Sequence, residues 1–166
     1  MIIKRLTLYN FGIYAGENTF SFTGEKPVVL IGGLNGRGKT TFLSAILLSL
    51  YGEGSVAYME SDYKSYGQYL RSYVNNDCWD RQAYVEMEFM VTRPDNAEYL
   101  VRREWDALGK RTKERITIEK NGIIDGFLTE NWSMFVESIL PGALAGFYFL
   151  TVKRLQTWLL TALAPS

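Results

Sequence analysis

The stretch of sequence that decides the fold is Gly33-Leu34-Asn35-Gly36-Arg37-Gly38-Lys39-Thr40. It fits the pattern G-x-x-x-x-G-K-[ST] of a phosphate-binding loop, or P-loop. Such a loop wraps a phosphate chain with backbone N–H groups, so side chains must be absent where the backbone approaches the anion closely. Gly33, Gly36 and Gly38 meet that need. The start of the following helix then points its free N–H groups at the phosphates.

The polar positions of the loop have separate predicted roles toward a bound nucleotide. Lys39 is expected to reach the β- and γ-phosphates, and the Thr40 hydroxyl to ligate Mg²⁺. Thr41 is expected near the α-phosphate. The alternative is a chance glycine turn, but an apolar strand before the loop and a helix after it favour a nucleotide site. The predicted ATP-binding set is Gly33, Asn35, Gly36, Arg37, Gly38, Lys39, Thr40 and Thr41.

The segments around the loop predict an α/β fold. The unbroken apolar run 28–31 is typical of a strand covered on both faces. A nearly all-apolar helical pattern follows from Lys39 to Leu50, and Gly52 is its expected end. Before the loop, alternating residues predict an antiparallel pair of strands at 2–9 and 18–23.

The rest of the chain alternates as strands do, with short helices between. Asn121-Gly122 favours a hairpin turn, and residues 129–131 are expected to cap the last predicted helix. The predicted strands are 83–92, 98–105, 115–119 and 145–149, and the predicted helices are 64–73 and 132–139.

Composition excludes several classes of function. The chain has 166 residues, 22% of them charged, and a formal net charge of zero, so any nucleic-acid contact must come from a local patch. It has no histidine, which excludes histidine catalysis and histidine metal sites, and one cysteine, Cys78, which excludes an internal disulfide. The apolar run 45–51 is too short to span a bilayer. A cytoplasmic protein without a membrane partner is expected.

Three stretches resemble the start of the Rad50, SbcC and SMC proteins: Leu6-Thr7-Leu8-Tyr9-Asn10-Phe11-Gly12, the pair Phe20 and Phe22, and Ile31 to Thr41. Within that superfamily the chain is similar to DndD, a protein of bacterial DNA phosphorothioation systems. The segments that carry this likeness are Leu30-Ile31-Gly32-Gly33-Leu34-Asn35-Gly36, Leu50-Tyr51-Gly52, Ile139-Leu140-Pro141 and Ala145-Gly146-Phe147-Tyr148-Phe149.

The resemblance implies a P-loop NTPase half-domain over residues 1–149, the first lobe of an SMC/Rad50-type ATPase head with an antiparallel side sheet. In the family, a second lobe supplies the LSGG-type signature, the Walker B acid pair and a switch histidine, and this sequence contains none of them. We therefore assign no catalytic residue and expect the isolated chain to hydrolyse little ATP. The implied partners are DNA, a second ATPase head or a homodimer, and other sulfur-modification proteins. The resemblance also places Asn10 and Phe11 near the adenine; otherwise Phe11 is a core residue and Asn10 a turn residue.

A cluster of basic residues is a candidate DNA surface, because related heads contact DNA with such a surface. Glu104, Asp106 and Glu114 dilute its charge, and a solvated hairpin face is the plainer interpretation. The candidate DNA residues are Arg102, Arg103, Lys110, Arg111, Lys113 and Arg115.

Four functions stay open at this point. The chain is interpreted as the ATP-binding lobe of a protein of DNA phosphorothioation or its restriction, or of a Rad50/SbcC-like double-strand-break repair ATPase. A small P-loop kinase is disfavoured by the two strands that precede the P-loop strand. A non-catalytic nucleotide-binding fragment is the fourth.

Residues 150–166 depart from the family pattern. DndD-like proteins continue after the strand that ends at Phe149 with F-F-D-G-E-K-I, at the Q-loop position. One codon choice for Phe149 to Leu159, with one T restored in its opening T-run, reads F-F-D-G-E-K-I-A-D-L-A. We expect this tail to be a frameshift product. Sequencing the gene tests this: the restored frame should encode a coiled coil and then an LSGG signature with a Walker B acid pair, and its absence there contradicts the expectation.

Overall fold

A single antiparallel sheet of six strands, in the order β2-β1-β3-β4-β5-β6, organises the chain. The computed structural model describes residues 1–22, 31, 38–92 and 96–142. The strands are β1 (Ile2–Phe11), β2 (Tyr14–Ser21), β3 (Gln82–Val91), β4 (Ala97–Asp106), β5 (Arg115–Lys120) and β6 (Ile123–Ile124). Every pairing is antiparallel. The predicted α/β class and antiparallel side sheet are confirmed.

Helix α1 (Lys39–Tyr51) packs against the inner face of the sheet. Because side chains alternate along a strand, the strands send every second residue to this face. Leu6 and Leu8 of β1, Val85 and Met87 of β3, and Val101 of β4 are all fully buried there. Residues 44–50 of α1 are buried as well, as its all-apolar pattern predicted. Helix α1 also ends at Gly52 as predicted.

The β1–β2 connection is shorter than predicted. The predicted second strand began at Asn18, but β2 begins at Tyr14, and only Gly12 and Ile13 form the turn. Asn10 and Gly16 adopt left-handed backbones, with φ of 47° and 64°, and the pairing register shifts between Tyr9 and Phe11. The prediction placed both glycines in a loop because it did not allow for this bulge, which lets β2 continue past Gly16.

Four short α-helices and a 3-10 helix at Gly52–Gly54 complete the described part of the chain. The α-helices are α2 (Val56–Met59), α3 (Tyr66–Ser72), α4 (Gly126–Glu130) and α5 (Trp132–Ile139). Of the residues predicted to cap the last helix, Asn131 occupies the N-cap position of α5. Asp125 caps the preceding helix, α4, by accepting a bond from Leu128 N at 2.9 Å. The Asn131 side chain donates to Phe127 O at 2.9 Å and makes no capping bond to α5. The predicted hairpin turn at Asn121-Gly122 is confirmed between β5 and β6.

Several predictions fall on residues outside the described ones. These are residue 23 of the predicted strand 18–23, residues 28–30 of the predicted strand 28–31, and the P-loop residues 33–37. The predicted strand 145–149 and the tail 150–166 also lie outside the described residues. Across the described ranges, no helix combines the length and apolar character needed to span a membrane.

Candidate nucleotide site and basic cluster

The start of α1 is the described part of the P-loop. Gly38 precedes the helix with a left-handed backbone, φ 88°, and its carbonyl accepts the first helical bond from Phe42 N at 2.8 Å. A Cβ at this position would lie 2.7 Å from Ile13 Cδ1 and 2.8 Å from the Tyr14 hydroxyl. Both backbone shape and space therefore require glycine here.

The β1–β2 turn lies directly against this helix start. A Cβ added to Gly12 would lie 2.5 Å from Thr41 Cγ2, and the Tyr14 hydroxyl donates to Gly38 O at 3.3 Å. Ile13 and Tyr14 thus border the P-loop, although the sequence pattern had singled out neither residue. The signal that could have found them is the end of β1, because the family resemblance predicts an adenine contact for Asn10 and Phe11.

Asn10 and Phe11, at the end of β1, stabilise this turn through side-chain contacts. The Asn10 side chain accepts from Gly16 N at 2.8 Å and donates to Asp80 Oδ1 and Gln82 O, each at 3.2 Å. Phe11 is fully buried, with its ring stacked on Tyr73 at 4.5 Å between centroids. Both side chains therefore contact residues that surround the turn. An adenine contact for these two residues stays a prediction.

The described end of the P-loop fits a bound phosphate group. Among the described residues, Gly38 has no side chain to cap α1 and the first turn of the helix contains no acidic residue, so no carboxylate of that turn competes with an anion for the helix N–H groups. Thr40 is exposed and Lys39 half-buried at this end. Among described residues no group of three or more Cys, Asp or Glu could hold a metal ion. The role of Thr40 as a Mg²⁺ ligand stays a prediction from the P-loop pattern.

A second network secures the loop before β3 to the same turn. Asn75 Nδ2 donates to Gly12 O at 2.7 Å. The Tyr9 hydroxyl donates to Asp80 Oδ2 at 2.7 Å, and this bond is the main reason that the pKa of Asp80 is lowered. The turn that borders Gly38 is consequently fixed on both sides.

The predicted basic cluster is divided by the sheet. Arg102 lies on the outer face, where it bonds Glu86 and Glu104 at 3.1 and 3.0 Å and covers the Tyr84 ring at 3.7 Å from its centroid. Arg115 also pairs with Glu104. Burial opposes the charged form of Glu104, but the bonds from Arg115 and Arg102 outweigh it and lower the pKa of Glu104. Two of the six predicted cations are therefore largely neutralised.

Arg103 points the other way and is only 6% exposed. It lies on the inner face, where Nε donates to Ser49 O of α1 at 3.0 Å and Nη1 to Glu114 Oε2 at 2.5 Å. The structure thus removes Arg103 from the predicted DNA surface. The period of two along a strand could have shown that Arg102 and Arg103 face opposite sides.

The other three predicted cations lie in the β4–β5 connection. We call residues 107–114 the basic loop; within it Lys110, Arg111 and Lys113 are exposed. Arg71 holds the loop from α3 by donating to Ala107 O at 3.1 Å and to Gly109 O. The basic loop is therefore the accessible positive part of the cluster.

Comparison with known proteins identifies relatives. The sequence profile of the AAA domain family matches residues 5–150. A 49-residue segment is 47% identical to the SbcC subunit of the nuclease SbcCD of Treponema pallidum. A 51-residue segment is 45% identical to the SbcC subunit of the same nuclease of Vibrio cholerae serotype O1. Each similarity covers 30% of this chain and 5% of the relative's length.

Proposed function

Because this chain belongs to the AAA domain family, whose profile matches residues 5–150, we propose that it binds Mg-ATP as the ATPase lobe of a DNA-metabolism protein. The observation that carries the proposal is the start of α1: a left-handed Gly38, an uncapped helix N-terminus, and Lys39 and Thr40 in the first turn. Backbone N–H groups and a lysine at such a position suit the phosphates of a nucleotide, and a threonine hydroxyl suits Mg²⁺.

The proposed function is tested by measuring Mg-ATP binding and ATP turnover on the same preparation of the 166-residue chain. We expect saturable binding with little or no turnover. Phosphoryl transfer to water needs an oriented nucleophile and charge stabilisation, and the sequence lacks the acid pair and signature that supply them in the family. Absence of binding would contradict the proposal, and rapid Mg-dependent turnover would contradict the assignment of catalysis to a second lobe.

Two versions of this function fit the chain. Similarity to the SbcC subunits of two SbcCD nucleases favours a Rad50/SbcC-like role in DNA repair. The DndD-like segments, such as Leu50-Tyr51-Gly52, favour DNA phosphorothioation or its restriction. In both versions the lobe works with a second ATPase head or a second copy, and the second version adds sulfur-modification partners. The neighbouring genes decide between them, because sulfur-modification genes cluster together.

We propose the basic loop as the DNA contact of this lobe, since its cations are exposed while those of Arg102 and Arg115 are paired with glutamates. Charge reversal at Arg111 and Lys113 is expected to weaken duplex DNA binding at all sequences. It should also reduce the slope of log affinity against log salt by about one per lost phosphate contact. Lys4→Glu combined with Arg5→Glu in β1 reverses the same number of charges and is the matched control. Unaltered binding and slope in the loop variant would identify the loop as a solvated surface only.

A further inference from the structure

We propose that Arg103 is a positioning residue that links the nucleotide end of α1 to the basic loop. Binding of Mg-ATP at the start of α1 then reduces the mobility of residues 107–114. In return, an anionic polymer bound to that loop changes the affinity for the nucleotide. The inference rests on the nucleotide binding proposed above. Arg103 is buried and therefore cannot serve the predicted DNA surface, and this link gives it a role.

Arg103 contacts both elements at once. Its Nε donates to Ser49 O in the last turns of α1, and its Nη1 donates to Glu114 Oε2 at the end of the basic loop. The side chains of Arg103 and Glu114 are 7% and 14% exposed. A buried guanidinium is costly unless every partner is in place, so neither contact shifts without the other being disturbed.

Helix α1 carries a displacement from one end to the other. It has 13 residues, so its two ends are about 20 Å apart. The nucleotide would contact the N-terminal turn, and Ser49 lies near the C-terminal end. The carbonyl groups at that end carry partial negative charge, which favours the Arg103 guanidinium. A packed helix moves as one body, so a shift at Lys39 reaches Ser49.

The displacement reaches the basic loop through Glu114, the residue that Arg103 contacts. Glu114 Oε1 accepts from the Tyr66 hydroxyl at 2.5 Å, and burial together with Glu114 raises the pKa of Tyr66. Thr112 O lies 2.8 Å from where a Cβ on Gly67 would stand. The loop is thus held on α3 and on Arg103, while Lys110, Arg111 and Lys113 project to solvent.

Little space remains for Arg103 to adapt without moving its partners. A Cβ at Gly52, just after α1, would lie 2.8 Å from Arg103 Cζ. The guanidinium is therefore confined between the end of the helix, Ser49 O and Glu114. Close packing of this kind transmits small displacements instead of absorbing them.

Amide hydrogen exchange measured by mass spectrometry tests the link in the 166-residue chain, with and without Mg-ATP. In the unmodified chain we expect nucleotide to slow exchange in peptides from 38–51 and, by about fivefold or more, in peptides from 107–114. In Arg103→Met the first response should persist and the second should disappear. Arg5→Met, which removes an ion-paired arginine from the outer face, is the matched control and should keep both responses.

Each result decides the proposal. Two results overturn the link while leaving nucleotide binding intact. One is a response at 38–51 without a response at 107–114 in the unmodified chain, and the other is a response at 107–114 that survives in Arg103→Met. No response at 38–51 overturns the proposed function itself. If Arg103→Met does not fold, Glu114→Ala takes its place, since it removes the acceptor that Arg103 Nη1 uses at the end of the basic loop. A lost loop response in that variant supports the link, and a retained one overturns it.

Discussion

Replacing Lys39 by alanine is expected to abolish measurable Mg-ATP binding while leaving the fold intact. Lys39 is the first residue of α1, beside a left-handed Gly38, where the P-loop pattern places its ammonium on the β- and γ-phosphates. Loss of one partner of a desolvated, charge-assisted contact costs on the order of 2–5 kcal/mol of binding free energy. That corresponds to a fall in affinity of about 30-fold or more.

The fold should tolerate this change because Lys39 lies at a helix end and is only half-buried. Alanine is also a better helix former than lysine. The free energy of unfolding is expected to change by less than about 1 kcal/mol. Calorimetric titration with Mg-ATP and urea unfolding measure the two quantities separately. Lys64→Ala, at an exposed position between α2 and α3, is the control; unchanged ATP affinity in Lys39→Ala would overturn the P-loop assignment.

Most of the described fold could be predicted because its signals are local. The alternation of residues 83–92 predicts β3 to within one residue at each end, and the apolar run after Lys39 predicts α1 with its end at Gly52. The P-loop pattern also predicts the helix start that the structure places under the β1–β2 turn. These features depend on spacing along the chain, which a single sequence records directly.

The features that could not be predicted depend on distant residues. Asn10 lies in β1 at the register shift beside the turn. Its side chain bonds Asp80 and Gln82, which lie far along the chain in and just before β3. Thr129 was expected to help cap α5; its hydroxyl donates to Asp125 O and accepts from Ile118 N of the neighbouring strand instead. Short polar side chains can satisfy several alternative partners, and the tertiary fold decides among them.

The basic cluster shows the same limit in its charges. Six cations close in sequence suggested one surface, but adjacent residues on a strand face opposite sides of the sheet. Arg102 therefore forms ion pairs with Glu86 and Glu104 on the outer face. Arg103 is buried beside α1 on the inner face. The sequence shows that the six cations lie close together along the chain. Only the register of the sheet shows which of them are exposed to solvent.

A second large effect is expected from Gly52→Ala, which should lower the free energy of unfolding by about 3 kcal/mol or more. Gly52 has φ 54° and ψ −125°, a backbone region that residues with a Cβ adopt only at a cost of about 1–3 kcal/mol. The new methyl group would also stand 2.8 Å from Arg103 Cζ. Arg103 can leave that space only by giving up Ser49 O and Glu114, and breaking a buried ion pair costs about 3–5 kcal/mol.

Gly54→Ala is the matched control two residues further on. Apart from the two chain neighbours of Gly54, no atom of the described residues lies within 4 Å of a Cβ placed there, and its φ is not positive. The substitution should therefore change the free energy of unfolding by no more than about 0.5 kcal/mol, and the loss of a flexible glycine from the unfolded chain favours a small gain. Urea unfolding of both variants makes the comparison. Equal stability of Gly52→Ala and Gly54→Ala would mean that Arg103 can leave its pocket freely, which would also contradict its role as a link between α1 and the basic loop.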